Sequence, residues 1–535
     1  MFVQPAGDLA ARTCSTHVAR RQRRVGVSKM KPGEKRVAIR NITFGNQVAE
    51  EEKDSLKEYF VKTQTWDRIY NAEIDIIYGP KGAGKSALYV LIQESTSDLF
   101  DRGVLLISAE NPQGTPAFKD LELEPPTSER EFVGIWKLYF LSLLGRAFDD
   151  FGIRNAESST LIKVLAEHGL LPTKKTGLGA ILASVRAYTN RLLKPKSIEA
   201  EIKLDQHTGI ATGIASKIVF DEPDITSQSK GFLSVDELFG NADAALKTAG
   251  YDVWFMIDRL DVAFNDSSEL ERNALRALFR AYRDMRNHSR IKLKIFLRTD
   301  IWKRITESGF SEATHLSRDM HISWNKASLQ NLIMRRLLNN KAFVELYSIN
   351  KDETLSSVGL QDALFARVFP DQVEVGEKQS TTVDWLLKRT ADGSRENQPR
   401  DIILFLNKLC EVQNQRLERG ENEPSDDLLF ERASFKEALP ALSEYRVARV
   451  LFAEYPQLRK YIDALREDKT EQNVASLAAR WKVDSEQALV IARQLRDVGF
   501  FEERASAGET TFWVPFVYRP YLSMSQGKVD EIQGE

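Results

Sequence analysis

The stretch that most constrains this chain is an octapeptide, Gly79-Pro80-Lys81-Gly82-Ala83-Gly84-Lys85-Ser86. It satisfies the pattern G-x-x-x-x-G-K-[ST] at every fixed position. Ile74-Asp75-Ile76-Ile77-Tyr78 reads as a short strand running into the loop, and Ser86 through Ile92 reads as a helix leaving it. Glycines let successive backbone N–H groups turn inward as an anion nest, and the new helix adds the positive end of its dipole. Gly79, Pro80, Lys81, Gly82, Ala83, Gly84, Lys85, Ser86 and Ala87 are therefore expected to wrap the phosphates of a nucleotide. Lys85 would reach the β- and γ-phosphates of ATP, and the Ser86 hydroxyl would sit on Mg²⁺. The expected fold class is α/β, a P-loop nucleotide-binding core on a parallel sheet.

Composition narrows the context. With 535 residues and a net charge of -2, the chain is long enough for several cores and carries no global signature of a nucleic-acid or membrane partner. Its two cysteines, Cys14 and Cys410, exclude a disulfide framework or a Cys-based zinc site within one chain and favour a reducing cytoplasm. No apolar run approaches the ~18 residues of a membrane span. Six histidines and no nuclease-like acid cluster leave little for a second active site.

Residues 1–44 form a basic tail holding Arg20, Arg21, Arg23 and Arg24. It reads as a disordered leader, as an extension upstream of a chain beginning at Met30, or as a nucleic-acid arm. Ala49-Glu50-Glu51-Glu52 opens an amphipathic helix expected to pack beside the sheet. The P-loop core is expected over 45–324. Within it, 103–108 reads as a second buried strand and Glu129 to Phe151 as a helix. The stretch from about 154 to 249 reads as an inserted subdomain serving a partner or an assembly contact.

Chemistry returns at Val253-Trp254-Phe255-Met256-Ile257, a buried strand with Asp258 at its carboxyl end, where a parallel sheet presents residues to a ligand. Asp258 is the candidate Mg²⁺-holding acid. Asp261 is placed either to orient or deprotonate an attacking water or to cap the helix that follows. Residues 270–286 read as a helix studded with arginines, mostly solvated or facing a subunit, one of which could act in trans. Ile291 to Leu297 is another buried strand, and Arg298 at its tip is a candidate phosphate ligand. From 325 to 442 the pattern is a helical lid. There Pro399 suits a first helical turn, and Arg400 would sense the γ-phosphate or pair on an exposed helix end. Residues 443–524 read as a winged helix with a hairpin turning at Ala507-Gly508, followed by a tail over 525–535. From Glu471 to Arg504 its acids slightly outnumber its bases, which favours a protein contact over DNA.

Taken in order, these landmarks resemble bacterial P-loop ATPases between the AAA+ origin-recognition type and the STAND type, often encoded in defence cassettes. The residues that carry the resemblance are Ala49-Glu50, the Gly79-to-Ser86 loop, Phe255-Met256-Ile257-Asp258-Arg259-Leu260-Asp261, Phe296-Leu297-Arg298-Thr299-Asp300 and Gln398-Pro399-Arg400-Asp401. The resemblance implies an additional-strand sheet, a helical lid, a C-terminal winged helix and a homo-oligomeric ATPase. Arg259 stands where typical AAA+ members carry the catalytic glutamate, which points to slow hydrolysis and draws attention to Asp261.

The leading expectation is a Mg²⁺-dependent ATP switch that controls a protein effector, with an antiphage role implied by the resemblance alone. The competing expectations are a DNA-binding loader that uses the winged helix and basic tail, and a nucleotide-binding scaffold that does not hydrolyse.

Overall fold

A computed structural model of the chain describes residues 33–110, 128–173, 175–192, 202–204, 211–214, 217–220, 232–260, 268–307, 316–506 and 509–528. Residues 1–32 of the basic tail, 205–210 of the stretch read as an insertion, Asp261, the Ala507-Gly508 turn and residues 529–535 lie outside the described residues. Those described form two compact units, one within 62–323 and the other within 1–61 and 324–535. Among them no helix is long and apolar enough to cross a membrane.

The first unit is built on a five-stranded sheet of β1 (Ile76–Gly79), β2 (Val104–Ser108), β7 (Asp252–Ile257), β8 (Ile291–Arg298) and β9 (Asp319–His321). Its order is β2-β7-β8-β1-β9, and every neighbouring pair is parallel. Strand β8 therefore lies between the strand entering the Gly79–Ser86 loop and the strand ending at Asp258. This is the P-loop NTPase fold with an additional strand. The central strands are buried on both faces, which is why β7 reads as a continuous apolar run and β8 as one interrupted by Lys292 and Lys294. Strand β9, Asp-Met-His, is three residues long and carries no such run, so the sequence alone does not reveal it.

The helix Glu129–Asp150 is capped by Ser128 and buried along most of its length. Its Trp136 Nε1 donates to the carbonyl of Ala274 at 2.9 Å, tying it to the helix Ser268–Met285. The stretch expected as an inserted subdomain behaves otherwise. Its helices Ala156–Glu167, Leu178–Leu192 and Val235–Ala249 bury Leu161, Leu165, Val185, Leu238 and Leu246 in the same core as β7. Their apolar faces match that core, so they extend it. Only the short pairs β3 (Ile202–Leu204) with β4 (Ala211–Ile214), and β5 (Lys217–Val219) with β6 (Phe232–Ser234), form separate sheets among the described residues of this stretch.

Charge is buried at the amino edge of the main sheet. Lys294 is fully buried; its Nζ donates to Asp75 Oδ1 at 2.9 Å and to the carbonyl of Ile74. Arg318 and the Tyr282 hydroxyl each reach Asp75 Oδ2 at 3.0 Å. Burial lowers the Lys294 ammonium to about 8 even though Asp75 opposes the shift.

In the second unit the helices Lys326–Leu338, Thr382–Thr390, Pro399–Glu418 and Arg432–Glu444 lead through a π-helical stretch, Tyr445–Leu451, into a C-terminal module. That module holds the helices Val474–Trp481 and Ser485–Asp497. Its sheet runs in the order β11 (Glu502–Ser506), β12 (Glu509–Trp513), β10 (Lys469–Asn473), β13 (Ser525–Lys528). The helical region and the module share one core, in which Ile333, Phe405 and Leu442 join Leu477, Leu495, Phe500 and Tyr518. The segment expected beside the P-loop sheet also belongs here. Helix Lys53–Tyr59 packs on Lys326–Leu338, and buried Glu52 accepts from Arg336 Nη2 at 3.0 Å. The buried guanidinium selects this position, because each charge satisfies the other away from water.

Asp75→Asn would leave Lys294 and Arg318 facing a neutral amide. We expect a loss of about 3–5 kcal/mol for the sheet-bearing unit, read from the urea midpoint of its unfolding at neutral pH. An unchanged midpoint would show that the buried charges contribute nothing there.

Candidate nucleotide-phosphate site

The loop is shaped by glycine at the positions that require it. Gly82 has φ 89° and Gly84 has φ 101°, left-handed conformations that cost L-residues energy. Gly84 caps the helix Lys85–Glu94, aiming its first N–H groups into the loop. A Cβ at Gly79 would stand 3.1 Å from the Ala83 Cβ and 3.2 Å from the Ile322 Cβ, so a side chain there would crowd the loop by a few tenths of an ångström. Lys85 Nζ donates to the carbonyl oxygens of Gly79 at 2.8 Å and Pro80 at 3.0 Å, which holds the ammonium over the loop.

The sheet brings the other groups to the same edge. Ser86 Oγ donates to Asp258 Oδ2 at 3.1 Å, although the two residues sit on elements separated by β8. Asp258 is only 7 % exposed. A hydroxyl and a carboxylate side by side at a phosphate loop form an all-oxygen donor set suited to a hard cation that keeps waters and phosphate oxygens as its remaining ligands. Among the described residues no group of three or more His, Cys, Asp or Glu could hold a metal instead. Ser86 and Asp258 therefore fit Mg²⁺.

Arg298 lies directly opposite Gly79 in the β1–β8 register. Its Nε and Nη2 grip Asp300 Oδ1 and Oδ2 at 3.0 and 3.1 Å. Burial works to raise the Asp300 carboxyl, but the Arg298 guanidinium, helped by Arg304, holds it below its usual value. Arg259, the residue after Asp258, has φ 60°, a left-handed backbone uncommon for a non-glycine residue. Tyr89, on the helix leaving the loop, packs edge-on against Phe296 at 5.7 Å, and burial pushes its hydroxyl up to about 12. Gln93 on the same helix donates to Ser108 Oγ at the end of β2 at 2.8 Å.

The structure thus brings together Gly79, Pro80, Lys81, Gly82, Ala83, Gly84, Lys85, Ser86, Ala87, Asp258 and Arg298 at one edge of one unit. Asp261 lies outside the described residues. Arg400 belongs to the other unit, where its Nε donates to the carbonyl of Gln47 at 3.2 Å. Most arginines of helix Ser268–Met285 for which partners are seen engage this unit's own surface: Arg280 pairs with Glu129 at 2.6 Å, and Arg276 reaches the carbonyl of Ile305. The role of Asp300 is not legible in the sequence. Its signal there is its place at the end of Phe296-Leu297-Arg298-Thr299-Asp300, one of the runs that carry the resemblance, which does not disclose its pairing with Arg298.

Asp258→Asn keeps the shape of the site but removes its anionic oxygen. It should leave ATP binding without Mg²⁺ unchanged and abolish the gain in affinity that Mg²⁺ gives the wild type. Titration with a fluorescent ATP analogue, with Mg²⁺ and with a chelator, reads both.

No protein-family model matches the chain, and no curated protein matches it. Solved structures do. The Aeropyrum pernix ORC1 protein, solved in complex with DNA, is 12% identical, with 86% of this chain and 93% of that chain covered and a TM-score of 0.32. A Walker-type ATPase of Pyrococcus abyssi is 13% identical, with 90% and 97% covered and a TM-score of 0.34. The Aeropyrum pernix ORC2 protein, solved as ADPNP–ADP complexes, is 12% identical, with 90% and 93% covered and a TM-score of 0.37.

Proposed function

We propose that this chain binds ATP with Mg²⁺ at the Gly79–Ser86 loop, hydrolyses it slowly, and works as a nucleotide-dependent switch. The observation that carries the reading is the Ser86–Asp258 contact across an intervening strand, because it unites phosphate loop and cation acid at one sheet edge. Backbone N–H groups of the loop and Lys85 would bind and orient the phosphates, and Arg298 would add positive charge beside them. Mg²⁺ held by Ser86 and Asp258 would neutralise charge on the phosphate oxygens.

Slow turnover is supported by the residue next to Asp258, an arginine in a left-handed conformation where a second carboxylate would serve as base. Asp261 remains our candidate for orienting water. Switch behaviour is supported by the Arg298–Asp300 fork, since phosphate and Asp300 compete for the same guanidinium edge. Homo-oligomerisation, control of a protein effector and an antiphage setting follow from the resemblance in sequence and belong to this proposal.

In our reading the C-terminal module is a winged helix whose recognition face is poorly suited to DNA. Arg493 and Arg496 on the helix Ser485–Asp497 both pair with Glu503 of β11, and Arg496 also pairs with Asp497. Internal neutralisation leaves little charge to displace counterions from a duplex.

Steady-state phosphate release tests the reading. Turnover should be measurable in the wild type, absent in Lys85→Ala, and unchanged by duplex DNA; stimulation by DNA would favour the loader. Asp300→Asn, which loosens the Arg298 fork, should tighten ATP binding by about tenfold. Weaker binding would assign Asp300 to the phosphate site itself.

A further inference from the structure

Arg446, in the π-helical stretch Tyr445–Leu451, is 7 % exposed and meets groups from three other segments. Its Nη2 donates to the Tyr518 hydroxyl at 3.0 Å and lies 3.3 Å from Asp392 Oδ2, while its Nη1 lies 3.4 Å from Asp401 Oδ2. Asp392 sits in the loop after helix Thr382–Thr390, Asp401 in the first turn of helix Pro399–Glu418, and Tyr518 after the β12 strand of the C-terminal module. The same loop is stitched to that module by its backbone. Gly393 N donates to the Gly499 carbonyl at 2.7 Å, and a Cβ at Gly393 would fall 2.1 Å from the Phe501 carbonyl oxygen. Arg395 adds an ion pair to Glu502.

Two carboxylates face one guanidinium in this buried node. Asp401 Oδ2 accepts no hydrogen bond and Arg446 Nε makes none, so the node is under-satisfied as well as unbalanced. A one-to-one pair would have fastened the module more firmly, because the second buried carboxylate brings desolvation with no second cation in ion-pair contact. We propose that Asp392, Asp401, Arg446 and Tyr518 form a latch that holds the 391–397 loop to the C-terminal module and opens locally beside their shared core, kept weak by its surplus buried carboxylate. The latch does not depend on the nucleotide reading, although Asp401 follows Arg400 in the same helical turn.

The charge environment agrees. Burial raises the Asp392 carboxyl, with Arg446 and the Ser394 N–H opposing. Burial raises Asp401 too, with Arg446 and Arg400 opposing and Asp392 reinforcing the shift. The charged and titratable groups facing the node are therefore Arg446, Arg400, the two carboxyls and Tyr518. A carboxyl raised on folding favours the docked state most below its unfolded value and loses that contribution as pH rises through the folded value.

Hydrogen exchange of residues 391–397 in the full chain, read by mass spectrometry at matched pH, tests the latch through the Gly393 amide. Asp401→Asn removes the surplus charge and keeps the shape, so exchange should slow relative to wild type, and Asp392→Asn should change it in the same direction. Arg446→Met strands both carboxylates and should speed exchange on the order of a hundredfold. The gap between wild type and Asp401→Asn should close as pH falls, because protonation does what the amide does. Faster exchange or loss of folding in Asp401→Asn, or a gap that does not change with pH, would make the node an ordinary ion pair and overturn the proposal.

Discussion

The site depends on one contact across the sheet, the Ser86 hydroxyl donating to the Asp258 carboxylate. It forms because β1 and β7 run parallel and end at the same edge with β8 between them. Parallel strands place all their carboxyl ends together, so residues far apart in sequence converge without any loop having to reach for them. The glycines at 82 and 84 and the helix start at Lys85 then turn that edge into a concentration of N–H donors. Remove the parallel order and the same residues make no site.

The structure repeatedly answers burial of charge with a partner. Asp75 gathers Lys294, Arg318 and Tyr282 at the edge of the sheet opposite the phosphate loop, and Glu52 with Arg336 fixes the segment before the core onto the helical region. In each case the geometry is close and supplemented by further hydrogen bonds, which is what makes a buried ion pair tolerable. Arg446 departs from that pattern, with two acids in contact with one base. Arg298 with Asp300 differs again, being a well-formed fork at the place where phosphate would be expected to take over one partner.

Much of this was legible in the sequence because buried parallel strands are apolar runs and the phosphate loop is punctuated by glycine. The strand before Gly79 and the runs at 103–108 and 253–257 announce themselves that way, the acid at 258 is marked by the end of the last run, and 291–297 reads as a strand despite Lys292 and Lys294. Strand β9 does not, since Asp319-Met320-His321 pairs through its backbone while its side chains stay half-buried. The helices of 156–249 carry clear apolar stripes, but a stripe does not say which core it joins, so they read as a separate piece when they extend the main one. Likewise Glu52 in an acidic run looks like a helix start, and only the three-dimensional position of Arg336 shows where it docks. Partnership between distant charges has no local signature.

Every functional claim for this chain rests on the phosphate loop being a working ATP site, and calorimetric titration of the full chain with ATP in the presence of Mg²⁺ tests that most directly. The expected result is saturable one-to-one binding by the wild type, with the heat lost in Lys85→Ala while the variant keeps the wild-type circular dichroism spectrum. Equal binding by both proteins, or no binding by a folded wild type, would contradict it.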